Sequence, residues 1–173
     1  GIIYRPQTSL RLGFAFHTPS LISFSDDLSA EMTTDTEGYA GSQTSKSSDF
    51  SNAEGQIQYN QLTPYRLIAS VAYIFQEVEN VKLQKGFLSA DIEFVNHRGS
   101  RYMSQGDNND QSIIDYYHSI NDVIKSYYQG AFNFRLGGEL KFSPLAIRVG
   151  GAYYSSPYAD KNLKANRMMA AGG

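Results

Sequence analysis

The stretch Phe134–Tyr154, FRLGGELKFSPLAIRVGGAYY, contains one short pattern twice. An arginine stands between two apolar residues and a glycine follows, in Phe134–Gly137 and again in Ile147–Gly150. A third copy is Leu10–Gly13. Apolar and polar residues alternate on both sides of Ser143-Pro144, and this period of two is that of a β-strand with unlike faces. The stretch therefore predicts two antiparallel strands joined by a tight turn.

The turn also predicts how the two strands pair. If Phe142 faces Leu145, then Glu139 lies directly opposite Arg148 on the polar face, and we expect these two side chains to form an ion pair. Glycines in strand interiors often mark a close approach of other groups. We interpret the neighbouring glycines as space for the guanidinium; they are Gly137, Gly138, Gly150 and Gly151.

Strand patterns recur along most of the chain. The six candidate strands are Gly1–Arg5, Leu10 to about Phe24, about Gln56 to Phe75, Gly86 to about His97, Gly130–Phe142 and Leu145 to about Ser155. Their connections alternate in length, because long polar segments, Ser25–Gly55, Arg98–Gln129 and Ser156 to the end, separate the shorter ones. Short turns at one end and long loops at the other are typical of antiparallel up-and-down transmembrane β-barrels. The expected fold class is therefore all-β, with residues 1–173 forming one partial barrel domain.

Apolar and polar faces separate most clearly in three candidate strands, Gly86 to about His97, Gly130–Phe142 and Leu145 to about Ser155, and the apolar faces end in aromatic residues. The aromatic residues at the ends of the apolar faces are Tyr65, Tyr73, Phe75, Phe87, Phe142 and Tyr153. The polar face combines small residues with charges in mid-strand, which is the mixture expected of a packed or watery lumen. A soluble sandwich also alternates, so this alternative stays open.

The charged residues of the polar face are the candidate ligand and lumen residues. They are Arg11, Arg66, Asp91, Glu93, Arg135, Glu139 and Arg148, together with Lys141. They form either a salt-bridge network that stiffens the wall, or a set in which one arginine binds an anionic head group. Ile68, Ala72 and Ile74 share this face with Arg66 and offer part of an apolar path.

A helix is predicted inside one long loop, over Asn109–Tyr128. Its apolar residues recur at three- and four-residue spacing, with Asp110 as the expected N-cap. Two interpretations stay open: a helix lying on the barrel rim, or a flap over a ligand entry. Asp107–Asp110 resembles the start of a calcium loop, but Ser112 and His118 stand where an EF-hand requires Gly and Glu.

Composition excludes several classes of function. The chain has 173 residues, with 15 basic and 17 acidic side chains and a net charge of −2, which argues against a nucleic-acid partner. It has no cysteine and no long apolar run that predicts a membrane-spanning helix. The histidines His17, His97 and His118 are dispersed, without a nucleophile motif, so we expect neither an enzyme nor a bound cofactor or metal.

Four phrases in this order resemble the C-terminal half of the FadL-like outer-membrane transporters, in the form common in Bacteroidetes-like bacteria. They are GIIYRPQTSLRLGFAFHTP, LTPYRLIASVAYIF, KGFLSADIEFVNH and FNFRLGGELKFSPLAIRVGGAYYSSPY. These transporters are channels for long-chain fatty acids and other hydrophobic compounds. The resemblance implies a fourteen-stranded barrel in the outer membrane of a Gram-negative bacterium, with the predicted helix in an extracellular loop.

The resemblance also implies which parts of such a protein lie elsewhere. Family members have an N-terminal hatch that plugs the barrel, and the hatch, the first strands and the last strands are not recognised in this sequence. We therefore expect a fragment of a longer chain; assembly of a barrel from several copies is the alternative. The implied partners are membrane lipids and a hydrophobic, fatty-acid-like ligand. A protein partner in secretion or in a surface complex is the alternative function.

Overall fold

A computed structural model describes residues 1–49, 55–75, 85–105, 110–142, 144–163 and 165–173. Within these ranges the chain is mostly β-structure with antiparallel pairing, and it contains one α-helix. Two compact units are present. One comprises Gly1–Ser20, Leu62–Arg101 and Asn121–Gly173, and the other comprises Leu21–Gln61 and Tyr102–Ile120.

The described residues form twelve strands and the helix, which are numbered here in chain order. They are β1 (Ile2–Tyr4), β2 (Leu10–His17), β3 (Leu21–Leu28), β4 (Glu31–Asp35), β5 (Ser42–Lys46), β6 (Gly55–Leu62), β7 (Arg66–Phe75), β8 (Gly86–Asn96), β9 (Arg101–Ser104), α1 (Gln111–Tyr127), β10 (Gly130–Phe142), β11 (Leu145–Tyr154) and β12 (Arg167–Gly172).

The first unit contains a seven-stranded sheet with the order β1-β2-β7-β8-β10-β11-β12. Every neighbouring pair in it is antiparallel. The strands of this sheet lie side by side in the order in which they follow along the chain. The strands that intervene in the sequence, β3–β6 and β9, belong to other sheets. The strands therefore run up and down in sequence, as the alternating loop lengths predict.

Proline divides two of the predicted strands. The segment predicted from Leu10 to about Phe24 is β2 and β3, separated at Pro19, and the segment from about Gln56 to Phe75 is β6 and β7, separated at Pro64. Proline has no N–H to donate to a sheet, which explains both interruptions. The two interruptions lie side by side and are hydrogen-bonded to each other. The Thr63 amide donates to the Ser20 carbonyl at 2.9 Å, and the Ser20 amide donates to the Thr63 hydroxyl at 2.8 Å.

Three predicted loops contain strands that the prediction missed. Strand β12 lies in the segment predicted as a polar tail, and it pairs with β11 through Tyr154–Arg167 to Val149–Gly172. Its sequence, RMMAAG, has no β-branched or aromatic residue, so strand propensity does not reveal it. The Ser25–Gly55 segment contains the β4–β5 hairpin, and the Arg98–Gln129 segment contains β9.

The helix prediction is confirmed, with α1 beginning at Gln111 and ending at Tyr127. Asp110 caps its N-terminus, because its carboxylate accepts hydrogen bonds from the Ser112 amide at 2.9 Å and the Ser112 hydroxyl at 2.8 Å. These two bonds hold the pKa of Asp110 below its ordinary value. Asp107–Asn109, the rest of the calcium-like segment, lies outside the described residues.

The second unit contains a three-stranded sheet with the order β3-β6-β9, and the β4–β5 hairpin. One aromatic residue from each strand of the three-stranded sheet forms a row. The Phe24 and Tyr59 rings stack with centroids 5.1 Å apart, and the Tyr59 and Tyr102 rings are 5.8 Å apart. Burial and a hydrogen bond to Asp26 raise the pKa of Tyr59, so its hydroxyl stays protonated at neutral pH.

The two faces of the seven-stranded sheet differ sharply. We call one the apolar face; its residues include Phe14, Val71, Leu88, Ile92, Phe132, Phe134, Leu136, Leu140, Ile147, Val149 and Met168. We call the other the polar face; it carries the predicted charged residues among small ones. The prediction that Phe87 ends an apolar face is wrong. Phe87 faces Ile74 and Glu139 and therefore lies on the polar face.

Candidate ligand site on the polar face

Strand register places all seven predicted ligand and lumen residues on the polar face. Arg11 faces Ala72, Arg66 faces His17 and Val95, and Glu93 faces Ile68 and Asn133. Asp91 faces Ser70 and Arg135, and Glu139 faces Arg148. Ile68, Ala72 and Ile74 lie on the same face, as their spacing from Arg66 predicts. Their role as an apolar path stays a prediction.

Glu93 is the centre of one cluster of side chains. It is only 5% exposed, and its two carboxylate oxygens bind different guanidiniums. One oxygen lies 3.6 Å from a terminal nitrogen of Arg66, and the other lies 2.5 Å from a terminal nitrogen of Arg135. The second oxygen also accepts a hydrogen bond from the Asn133 amide group at 3.2 Å. A buried carboxylate is thus matched by two cations drawn from the strands on either side of it.

Glu139 is the centre of a second cluster, and the predicted ion pair is confirmed there. Phe142 pairs with Leu145, and Glu139 pairs with Arg148, as predicted. The Arg148 Nε lies 2.5 Å from one carboxylate oxygen, and the Lys141 Nζ lies 3.2 Å from the other. Glu139 is 8% exposed, so this buried carboxylate is also matched by two cations.

The interpretation of the glycines is wrong. Gly138 and Gly151 lie on the apolar face, opposite Val149 and Leu136. Gly137 and Gly150 do share the polar face with the ion pair, but a Cβ at either position would not come within 4 Å of an arginine atom. The guanidiniums therefore do not occupy the space beside these glycines. Instead, the glycines keep a strip of the polar face without side chains.

Asp91 differs from the other two acidic residues of the polar face. It is half-buried and stands directly opposite Arg135, yet within the described ranges it has no hydrogen bond or ion pair. The Arg135 guanidinium points to Glu93 instead, and its Nε–H is buried without a hydrogen-bond partner among the residues described. The sequence does not predict this choice between two carboxylates on the same strand.

Two interactions on this face were not predicted. Asn133 donates a hydrogen bond to Glu93. The sequence signal for Asn133 is its position among the polar residues that alternate along β10. The guanidinium carbon of Arg167 lies 4.8 Å from the centre of the Tyr154 ring, which is a cation–π distance. The sequence does not predict a role for Arg167, because the segment that forms β12 is predicted to be a polar tail.

The structure places His97 in a short 3-10 turn, His97–Gly99, directly after β8. Burial lowers the pKa of His97, and the negative charge of Glu93 opposes this in part. His97 is therefore mostly neutral at pH 7. Nowhere in the described part of the chain do three or more His, Cys, Asp or Glu side chains come close enough to hold a metal ion.

Comparison of this chain with protein-family models, with curated proteins and with solved structures returned no match. Within the described ranges, no helix is both long and apolar enough to cross a membrane. The geometry of the two faces is therefore the basis for a functional proposal.

The register at the Glu139 cluster predicts a disulfide between introduced cysteines. The chain has none of its own, so Glu139→Cys with Arg148→Cys creates a single possible pair. Directly facing residues of antiparallel strands have Cα atoms about 4.5–5.5 Å apart, within the range that a disulfide spans. After mild oxidation we expect mass spectrometry to find no alkylated cysteine.

The control is Leu140→Cys with Arg148→Cys, which places the two thiols on opposite faces of the sheet. Here we expect both cysteines to be alkylated. Alkylation of both thiols in the Glu139/Arg148 pair would show that the register is wrong.

Proposed function

We propose that this chain forms part of the wall of an outer-membrane β-barrel in a Gram-negative bacterium, a channel for the passive uptake of hydrophobic compounds such as long-chain fatty acids. The lipid-facing wall is inferred from the chemistry of the two sheet faces. The outer membrane, the channel and the fatty-acid-like ligand are what the resemblance to FadL-like transporters implies.

One observation carries the proposal: the polarity of the sheet is inverted. Large apolar side chains are exposed, with Leu136 at 58%, Phe134 at 44% and Ile147 at 46%, while Glu93 and Glu139 are buried. In a water-soluble sheet the apolar face is covered and the charges are outside. Each Å² of apolar surface left in water costs about 25 cal/mol, and contiguous exposed apolar patches above a few hundred Å² are rare in soluble monomers. The hydrocarbon chains of a lipid bilayer would remove a whole apolar face of this kind from water.

The polar face supports the channel part of the proposal. Glu93 and Glu139 are each paired with two cations, and small residues stand between the two clusters in a row formed by Ala72, Ser89, Gly137, Gly150 and Ala171. Small side chains leave space above the sheet, and paired charges are compatible with a water-filled interior. Passage along such a wall needs binding and diffusion only, without covalent chemistry.

The test uses the full-length protein in two steps. We expect it to fractionate with the outer membrane and to require detergent for extraction. Reconstituted in liposomes, it is expected to accelerate entry of oleate, with saturation, but not entry of sucrose. A protein that stays in buffer without detergent would support the soluble β-sandwich instead. A membrane protein that purifies with a stoichiometric protein partner and does not accelerate oleate entry would support the secretion or surface-complex alternative.

A further inference from the structure

We propose that the polar face contains a binding site for an anionic group, a carboxylate or a phosphate, formed by Arg66 and Arg135 with Glu93 as their positioning residue. The inference deepens the proposed function and rests on it in one respect: the polar face must line a path that a ligand enters. The site would bind the charged head of a ligand whose apolar part lies elsewhere.

The geometry of the two guanidiniums is the first argument. Glu93 is buried, with its side chain 7% exposed, whereas the side chains of Arg66 and Arg135 are 50% and 41% exposed. The carboxylate thus lies beneath two cations whose outer parts remain accessible. Each guanidinium carries five N–H donors in a planar fork, and a single carboxylate oxygen uses few of them.

The fixed position of the guanidiniums is the second argument. Arg135 contacts one oxygen of Glu93 and Arg66 contacts the other, so one rigid planar group holds both cations. Asn133 donates to the same carboxylate and further fixes its orientation. Arginines that are held in place before the ligand arrives lose little side-chain entropy on binding it, which favours affinity.

The charge balance is the third argument. Arg66, Arg135 and Glu93 carry a net charge of +1, because one carboxylate faces two guanidiniums. The Glu139 cluster on the same face also has one carboxylate and two cations, Arg148 and Lys141. Asp91 faces Arg135 from β8 and makes this local group of four side chains neutral. The polar face as a whole still carries more cations than carboxylates, because Arg11, Lys141, Arg148 and Arg167 stand against Glu139 alone. An anionic group between Arg66 and Arg135 would reduce that excess and lie beside the two donors.

The experiment measures binding of three eight-carbon probes to the full-length protein in nonionic detergent by calorimetry. Octanoate and octyl phosphate carry the two candidate head groups, and 1-octanol is the neutral reference. We expect wild-type protein to bind one or both anions at least ~10-fold more tightly than octanol, as charge-assisted hydrogen bonds imply. The tighter of the two anions identifies the head group.

The main variant is Glu93→Gln with Arg135→Gln, which replaces an ion pair by a neutral amide pair and leaves the net charge unchanged. We expect it to weaken the preference for anions by at least ~5-fold while octanol binding stays the same, because one guanidinium is lost and Arg66 loses the carboxylate that positions it. Arg66→Gln removes the longer contact, 3.6 Å, and keeps the protein testable if the double variant does not fold; a loss of roughly 5–10-fold is expected. The matched control is Arg98→Gln, an exposed arginine in the turn after β8, and we expect no change.

Three results would overturn the site: equal binding of octanol and both anions by wild-type protein, an unchanged anion preference in the variants, or an equal loss in Arg98→Gln. The fractionation and liposome experiments are independent of this one. If the protein inserts into the membrane and takes up oleate but shows no anion preference, the proposed anion site is wrong and the proposed function stands. A protein that stays in buffer without detergent loses the proposed function, whatever its anion preference.

Discussion

Leu136→Arg is expected to destabilise the full-length protein in lipid vesicles by about 2–4 kcal/mol, whereas Ser89→Arg is expected to be tolerated. Leu136 lies in the middle of β10 on the apolar face and is 58% exposed. In the proposed membrane its side chain meets hydrocarbon, where an arginine loses its hydration. The measurement is the free energy of unfolding of each variant by denaturant in vesicles.

Ser89 is a close control because it lies at nearly the same height on the opposite face. It faces Gly137, the neighbour of Leu136 in β10, and Ala72 on its other side, so a larger side chain has room there. If the apolar face met water, an arginine at an exposed position such as Leu136 would change stability by no more than about 0.5 kcal/mol. Similar small effects for both variants would therefore contradict the membrane proposal.

Gly86→Ala is expected to destabilise the sheet by roughly 2–3 kcal/mol or more, because two separate requirements exclude a side chain at this position. Gly86 has a φ of +152°, which L-residues rarely adopt. A Cβ there would also overlap the backbone carbonyl of Glu139 on the neighbouring strand. A carbonyl within a sheet ladder cannot move without loss of hydrogen bonds. Thermal or denaturant unfolding of the full-length variant measures the cost.

Gly150→Ala is the matched control for this prediction. Its Cβ would have its nearest neighbour, the Leu136 carbonyl oxygen, at 3.6 Å, an ordinary van der Waals distance. Alanine is also better suited than glycine to a strand, so we expect a change below about 1 kcal/mol. If both glycine variants lost the same stability, the backbone conformation at Gly86 would not be the reason. A loss confined to Gly86→Ala would show that the close approach of Gly86 to the Glu139 carbonyl, at the end of the sheet where β7 ends and β8 begins, contributes to stability.

Local patterns were sufficient to predict much of the fold. The hairpin at Pro144, its register and the Glu139–Arg148 pair follow from alternation over about twenty residues, because a tight turn limits how two strands can pair. The α1 helix and its Asp110 cap follow from spacing and from a single capping residue. The predictions failed where local signals were weak, as in β12, or where proline interrupted an otherwise continuous strand pattern, as at Pro19 and Pro64.

The sequence by itself determined which charged residues share the polar face, because side chains alternate with a period of two along every strand and this needs no knowledge of distant contacts. Only the tertiary structure decided how the charges on that face combine. Arg135 belongs with Glu93 instead of Asp91, which is directly opposite to it, and Arg66 joins the same carboxylate from β7. These partners are far apart in the chain, so their meeting depends on the register of three strands at once. In that arrangement each of the two buried carboxylates, Glu93 and Glu139, lies between two cations.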